Sequence, residues 1–274
     1  MIFAGVGGRR GSGGGIYRGV FDPDRPGLVD WAPSPEFRIA DVGRNPRPMG
    51  LTIVGGRVYA MVGNQLLLRT DGPDPAWREV WRDDEPAGLD SIRRATEITG
   101  PDGEPSLLFG IEGVSSRLVR VDPGRDHAAT VELRLVDTMP HTRYALVGYN
   151  GPRVLAGDAR PVTLIGAYLT RPRTTAEPPP EEHELGDFQD MSDGVVLVRR
   201  DDGAYAVNRV HDRTLEVHPP LQGVRAILTE SPFPGEEDVV YFGGFDHNNH
   251  LFHNTGWIMK AHIDDVTDTL FEVP

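Results

Sequence analysis

Three of the nine histidines fall within seven residues, His247, His250 and His253, beside Asp246 and the asparagines at 248, 249 and 254. Imidazoles next to a carboxylate combine donors, acceptors and near-neutral pKa values, the ingredients of proton transfer or metal ligation. The i, i+3 spacing does not put three ligands on one face of a strand, so no established zinc pattern is met, although a loop could still bring them to a metal. Three readings stay open: one divalent metal ion as cofactor, a catalytic or hydrogen-bonding loop, and a merely solvated one. Elsewhere, Glu112, Asp158 and His141 are the acids and base that could join this chemistry, and Arg47, Arg94, Arg143 and Arg225 could hold a carboxylate or phosphate bidentately.

Composition narrows the setting. A formal net charge of −13 provides no basic field to draw nucleic acid or an anionic membrane, so neither partner is expected. With no cysteine, disulfides, thiolate nucleophiles and Cys-bound zinc are excluded together. No run of about 18 apolar residues occurs, and the first residues lack the charge and apolar stretch of a leader; a soluble, cytoplasmic protein is expected. Only Lys260 is lysine among 28 basic residues, a bias that genome base composition explains, so arginine counts alone carry little.

The elements that must position these residues are repeated. An apolar residue, a spacer and a small residue entering a Gly- or acid-containing loop recur at Phe3-Ala4-Gly5, Tyr59-Ala60-Met61, Leu108-Phe109-Gly110, Leu155-Ala156-Gly157 and Tyr241-Phe242-Gly243, with Val196-Leu197-Val198 between. The mean interval, about 48 residues, is that of propeller blades. Each repeat reads as four short strands, A to D. The second is clearest, at 50–54, 58–62, 66–69 and 77–81, with turns at Gly55-Gly56 and Gly63-Asn64. The third reads 95–99, 107–111, 118–121 and 131–136; the fourth 144–147, 153–156 and 167–170; the fifth 195–198, 205–207 and 214–217; the sixth 225–229, 239–242, 257–260 and 269–273. The first begins at a B-like strand, 2–6, with its A strand missing. The expectation is a single all-β domain over 1–274, a six-bladed β-propeller with an incomplete first blade and with five or seven blades as alternatives.

Thr70-Asp71-Gly72 followed by Trp77, and more loosely Asp22 to Trp31, resemble a degenerate Asp-box, the hairpin turn of sialidase-type propellers. The resemblance covers only those hairpins. It implies a propeller and not sialidase activity, with Asp71 and Asp22 binding turn amides and Trp77 and Trp31 packing between blades.

In an up-and-down blade the A-strand starts and B-strand ends surround one channel mouth. Arg47, Arg94, Arg143 and Arg225 stand at four of five visible A-strand starts, with Asp190 at the fifth. The alternative to an anion-binding ring is pairing with acids of neighbouring blades, such as Glu97. The segment Gly243 to Gly256 reads as a long B–C loop over that mouth, and Glu112 and Asp158 as B-strand ends. The glycine-rich stretch from Gly5 to Gly15 lacks the Lys-Ser/Thr and helix of a phosphate loop, and Glu181-Glu182-His183-Glu184 reads as a solvated segment. The expected function is a small-molecule hydrolase or lyase acting on an anionic substrate, with a non-catalytic lectin-like or protein-interaction propeller as the alternative.

Overall fold

The computed structural model describes residues 1–7, 14–39, 48–84, 91–92, 94–112, 117–134, 145–154, 161–170, 192–200, 202–209, 224–229, 231, 233–248, 253–267 and 271–272. Among the described residues, the strands form five antiparallel sheets, the blades of an all-β propeller. Five is the count held as an alternative above, in place of the six expected.

Blade 1 holds β1 (Ile2–Val6), β2 (Gly15–Phe21), β3 (Val29–Trp31) and β4 (Phe37–Arg38), with β3 and β4 pairing different stretches of β2. Blade 2 is β5 (Pro48–Val54), β6 (Arg57–Val62), β7 (Gln65–Arg69) and β8 (Trp77–Arg82) in sequence order. Its tight turns use positive φ at Gly55, Gly56 and Gly63, which glycine adopts without steric cost. In blade 3, β9 (Ser91–Ile92) and β10 (Thr96–Thr99) together edge β11 (Pro105–Glu112), followed by β12 (Arg117–Asp122) and β13 (Ala128–Arg134). Blade 4 is β14 (Ala145–Val154), β15 (Pro161–Thr170), β16 (Ser192–Arg200) and β17 (Tyr205–Arg209), extended by the C-terminal β21 (Phe271–Glu272). Blade 5 is β18 (Val224–Leu228), β19 (Val239–Asn248) and β20 (His253–His262). One five-residue helix, α1 (Ile263–Thr267), follows β20, and among the described residues no helix is long and apolar enough to cross a membrane.

Two expectations change here. The fourth and fifth repeats are one blade: 144–147 and 153–156 fall largely on a single strand, β14, whose register shifts between Tyr149 and Pro152. Asn150-Gly151-Pro152 carries turn chemistry but makes a bulge, where extra chain is absorbed without ending the strand. In blade 1, the strand read as second in its repeat is itself the innermost. β1 lies against β5, and a Cβ on Gly5 would stand 2.7 Å from Cβ of Pro48. The inner strands of blades 2 and 3 approach as closely, since a Cβ on Gly50 would be 3.1 Å from Cα of Arg94.

The core is a set of seams between blades. Ile16, Ile39, Ala60, Val62 and Leu67 fill the seam between blades 1 and 2. The largest cluster joins blades 2, 3 and 4 around Tyr59, Met61, Leu108, Phe109, Ile165 and Leu197. Between blades 4 and 5, Val162, Leu164, Val196 and Val198 pack against Ile227, Val240 and Phe242. The inward residues of β15 and β16 thus alternate, one set serving each neighbouring blade, as the two-residue period of a strand requires.

Phe109 is fully buried and its ring lies 5.3 Å from that of Trp81 across the seam between blades 2 and 3. Phe109→Ala should therefore cost about 3–5 kcal/mol in urea unfolding, and a loss below about 1 kcal/mol would contradict this packing.

Candidate functional site

Several arginines at the seams are already engaged by carboxylates. Between blades 1 and 2, Arg69 donates from Nε and Nη2 to Glu36, both at 2.9 Å, and the indole N–H of Trp77 donates to the same carboxylate at 3.1 Å. The bonds from Arg69, helped by that from Trp77, hold Glu36 below the ordinary carboxylate range against the opposing effect of burial. The Phe3 ring lies edge-on to Trp77 and beneath the Arg69 guanidinium. Between blades 2 and 3, Arg117 pairs with Asp83, both buried. Between blades 3 and 4, Glu132 accepts from Arg199 at 2.7 and 2.9 Å, from Arg120 at 2.8 Å and from the Tyr205 hydroxyl at 2.6 Å. Burial works to raise the Glu132 pKa, but the bonds from Arg199 and Tyr205 outweigh it and the group stays ionised. Burial and the Glu132 charge push the Tyr205 phenol up, keeping it a donor.

The four residues singled out in the two hairpins divide. Trp77 packs between blades as expected, and Asp22 accepts from the Asp24 amide at 2.9 Å. Asp71 is exposed, and Thr70 closes its turn instead, exchanging hydrogen bonds with Ala76. Trp31 remains 45% exposed.

The inner-strand entrances differ from the seams. Arg94 is exposed, with no hydrogen bond or ion pair among the described residues, and it sits where the inner strand of blade 3 breaks between β9 and β10. Ile92 pairs with Ile111 and Thr96 with Leu108, so this edge spends one more residue than β11 over the same length, as in a bulge. The start of β18 has a register shift between Val224 and Ala226, with Arg225 as the extra residue. A third shift, between Pro48 and Gly50, immediately follows Arg47 in the chain. Three inner strands are thus irregular at the end where the arginines occur. Arg47 itself, Arg143, His141 and Asp190 lie outside the described residues.

The acids and histidines are partly rearranged. Glu112 ends β11 opposite Ser91, on the same rim as Arg94. Asp158 lies outside the described residues; in chain order it falls between β14 and β15, the first two strands of blade 4, and not after a second strand as expected. The expected loop from Gly243 to Gly256 is mostly a long hairpin. Asp246 pairs with Thr255, His247 with Asn254 and Asn248 with His253, so His247 and His253 occupy register positions of opposite parity. His250 lies outside the described residues. Among the described residues, no three metal-binding side chains are grouped.

The buried pairs of Arg117 and Arg199 are not among the candidates predicted from sequence. Their signal is a cation inside an apolar strand, as in Val195-Val196-Leu197-Val198-Arg199. Nor is His127 among those candidates; it is buried, takes a left-handed φ of 59° and lies 3.3 Å from the Tyr59 hydroxyl.

No family model matches the chain, and no curated protein matches it.

Burial first, and then the charge of Arg78, lowers the His127 pKa, with Asp126 opposing. The folded state therefore holds a neutral imidazole. This contribution to stability is complete above the unfolded value of about 6.5 and is lost as pH falls from there through the lower folded value. The urea midpoint should drop from pH 7 toward pH 5 more in the parent than in His127→Asn, a residue that also tolerates positive φ. Identical slopes would remove His127 from this role.

Proposed function

We propose that the rim where the inner strands begin binds a small anionic molecule, and that the protein acts on it as a hydrolase or lyase. The supporting observation is the coincidence of arginine with backbone irregularity at three inner-strand entrances, in blades 2, 3 and 5. Bulges at a sheet rim re-aim side chains and are enriched beside binding sites. The contrast with the seams adds to this: Arg69, Arg117 and Arg199 each meet a carboxylate, whereas Arg94 stands exposed. Arg47 belongs to this set, for blade 2, by its place in the chain alone, and Arg143 extends it in the same way.

In this reading the arginines hold a carboxylate or phosphate of the substrate, offsetting the net negative charge of the protein locally. Glu112, at the end of β11 on this rim, or a histidine of the β19–β20 hairpin moves the proton. His247, His250 and His253 remain the candidates, with Asp246 beside them; a single divalent metal ion bound there is a further proposal.

A second reading, a non-catalytic interaction propeller, is favoured by the exposed apolar side chains of Val20, Phe21, Leu28 and Trp31 on blade 1. Platforms display such groups over a face.

A thermal-shift panel of small carboxylates and phosphate monoesters separates the two. An anionic hit should lose about tenfold or more in affinity in the Arg94→Met/Arg225→Met double variant, with the ligand-free unfolding midpoint nearly unchanged. Turnover of that hit, abolished by Glu112→Gln or by alanine at one of the three histidines, supports the enzyme. Retained affinity in the double variant contradicts the anion site.

A further inference from the structure

We propose a second binding site, on outer strands and so radially outside the inner-strand entrances, that takes a small amine with an aromatic or aliphatic body. A pocket of about 420 Å³ opens between the outer strands of blades 2 and 3. Its apolar wall is Trp81 of β8 together with Val119 of β12 and Val131 of β13, which are paired across those strands. Four of its eight lining residues are charged, and the pocket is open to solvent, so it suits a small ligand that keeps a polar head in water.

The polar groups decide which charge the ligand carries. The Arg117 guanidinium in the pocket wall is held by Asp83, and both side chains are almost wholly buried. An anion would have to displace a buried partner to use it, leaving a carboxylate uncompensated. At the mouth, Arg82 is engaged by Glu79 through Nε at 2.9 Å and Nη2 at 2.6 Å. Asp84, also in the lining, is exposed and has no hydrogen bond or ion pair among the described residues; its charge reaches Arg82 only as a secondary influence behind Glu79. The carboxylate left to meet a ligand is therefore that of Asp84, and the indole of Trp81 supplies a π surface that favours a cation. The net charge of −13 acts in the same direction.

Phenethylamine, 2-phenylethanol and phenylacetate share one body and differ in the charge of the head group, which makes them suitable probes. Saturation-transfer NMR and calorimetry should rank the amine first, with phenylacetate weaker by about tenfold or more. Asp84→Asn should bring the amine down to the level of the alcohol, and Val131→Trp should block all three by filling the pocket. Both positions are exposed, and circular dichroism with the unfolding midpoint checks that each variant is folded. No binding of the amine, equal or stronger binding of phenylacetate, or amine binding unchanged in both variants would overturn the proposal. The Arg94→Met/Arg225→Met variant should bind phenethylamine normally, which keeps this site distinguishable from the anion site.

Discussion

Contact between neighbouring blades is the constraint on which the structure depends. Each antiparallel sheet satisfies its own backbone hydrogen bonds, but its two faces must be covered by other sheets. Apolar clusters do most of this covering, from Ile16 and Leu67 in the first seam to Phe109 and Leu197 in the middle and Phe242 in the last. Near the axis, where side chains have least room, Gly5 and Gly50 let inner strands approach the next blade closely.

Three of these seams also contain an arginine paired with a carboxylate. Such pairs add little net stability once desolvation is counted, yet removing one partner is costly because it strands a charge. Their consequence here is selective. An arginine bound to a buried acid is no longer available to a ligand, so the exposed Arg94 and the bulge at Arg225 are distinguished by position and not by residue type. The alternative raised from sequence, arginines pairing with neighbouring-blade acids, does describe Arg69, Arg117 and Arg199. Those are different arginines from the ones at the strand entrances.

Blade 2 was legible because its turns have unambiguous chemistry: Gly55-Gly56 and Gly63-Asn64 bracket alternating or apolar runs, and the strands lie within two residues of those expected. Blade 4 was not, because Gly148 to Pro152 has turn composition whether the chain reverses or merely bulges. The same ambiguity misnumbered the strands on either side of Asp158. The hairpin of β19 and β20 was hidden by its polar residues, since backbone pairing does not require apolar side chains. Radial position was also illegible: β1 has the local pattern of any strand, and only its contact with β5 makes it innermost. Ion pairs such as Arg199 with Glu132, 67 residues apart, depend on blade order and so could not be read locally.

The central claim is that the inner-strand entrances form an anion site while the seam arginines do not. Diffraction from crystals soaked in selenate, recorded at the selenium edge, tests it directly. The account predicts an anomalous peak within hydrogen-bonding distance of Arg94 or Arg225 in the parent and its disappearance in the Arg94→Met/Arg225→Met variant. Peaks confined to other surfaces, with none at that rim, would contradict it.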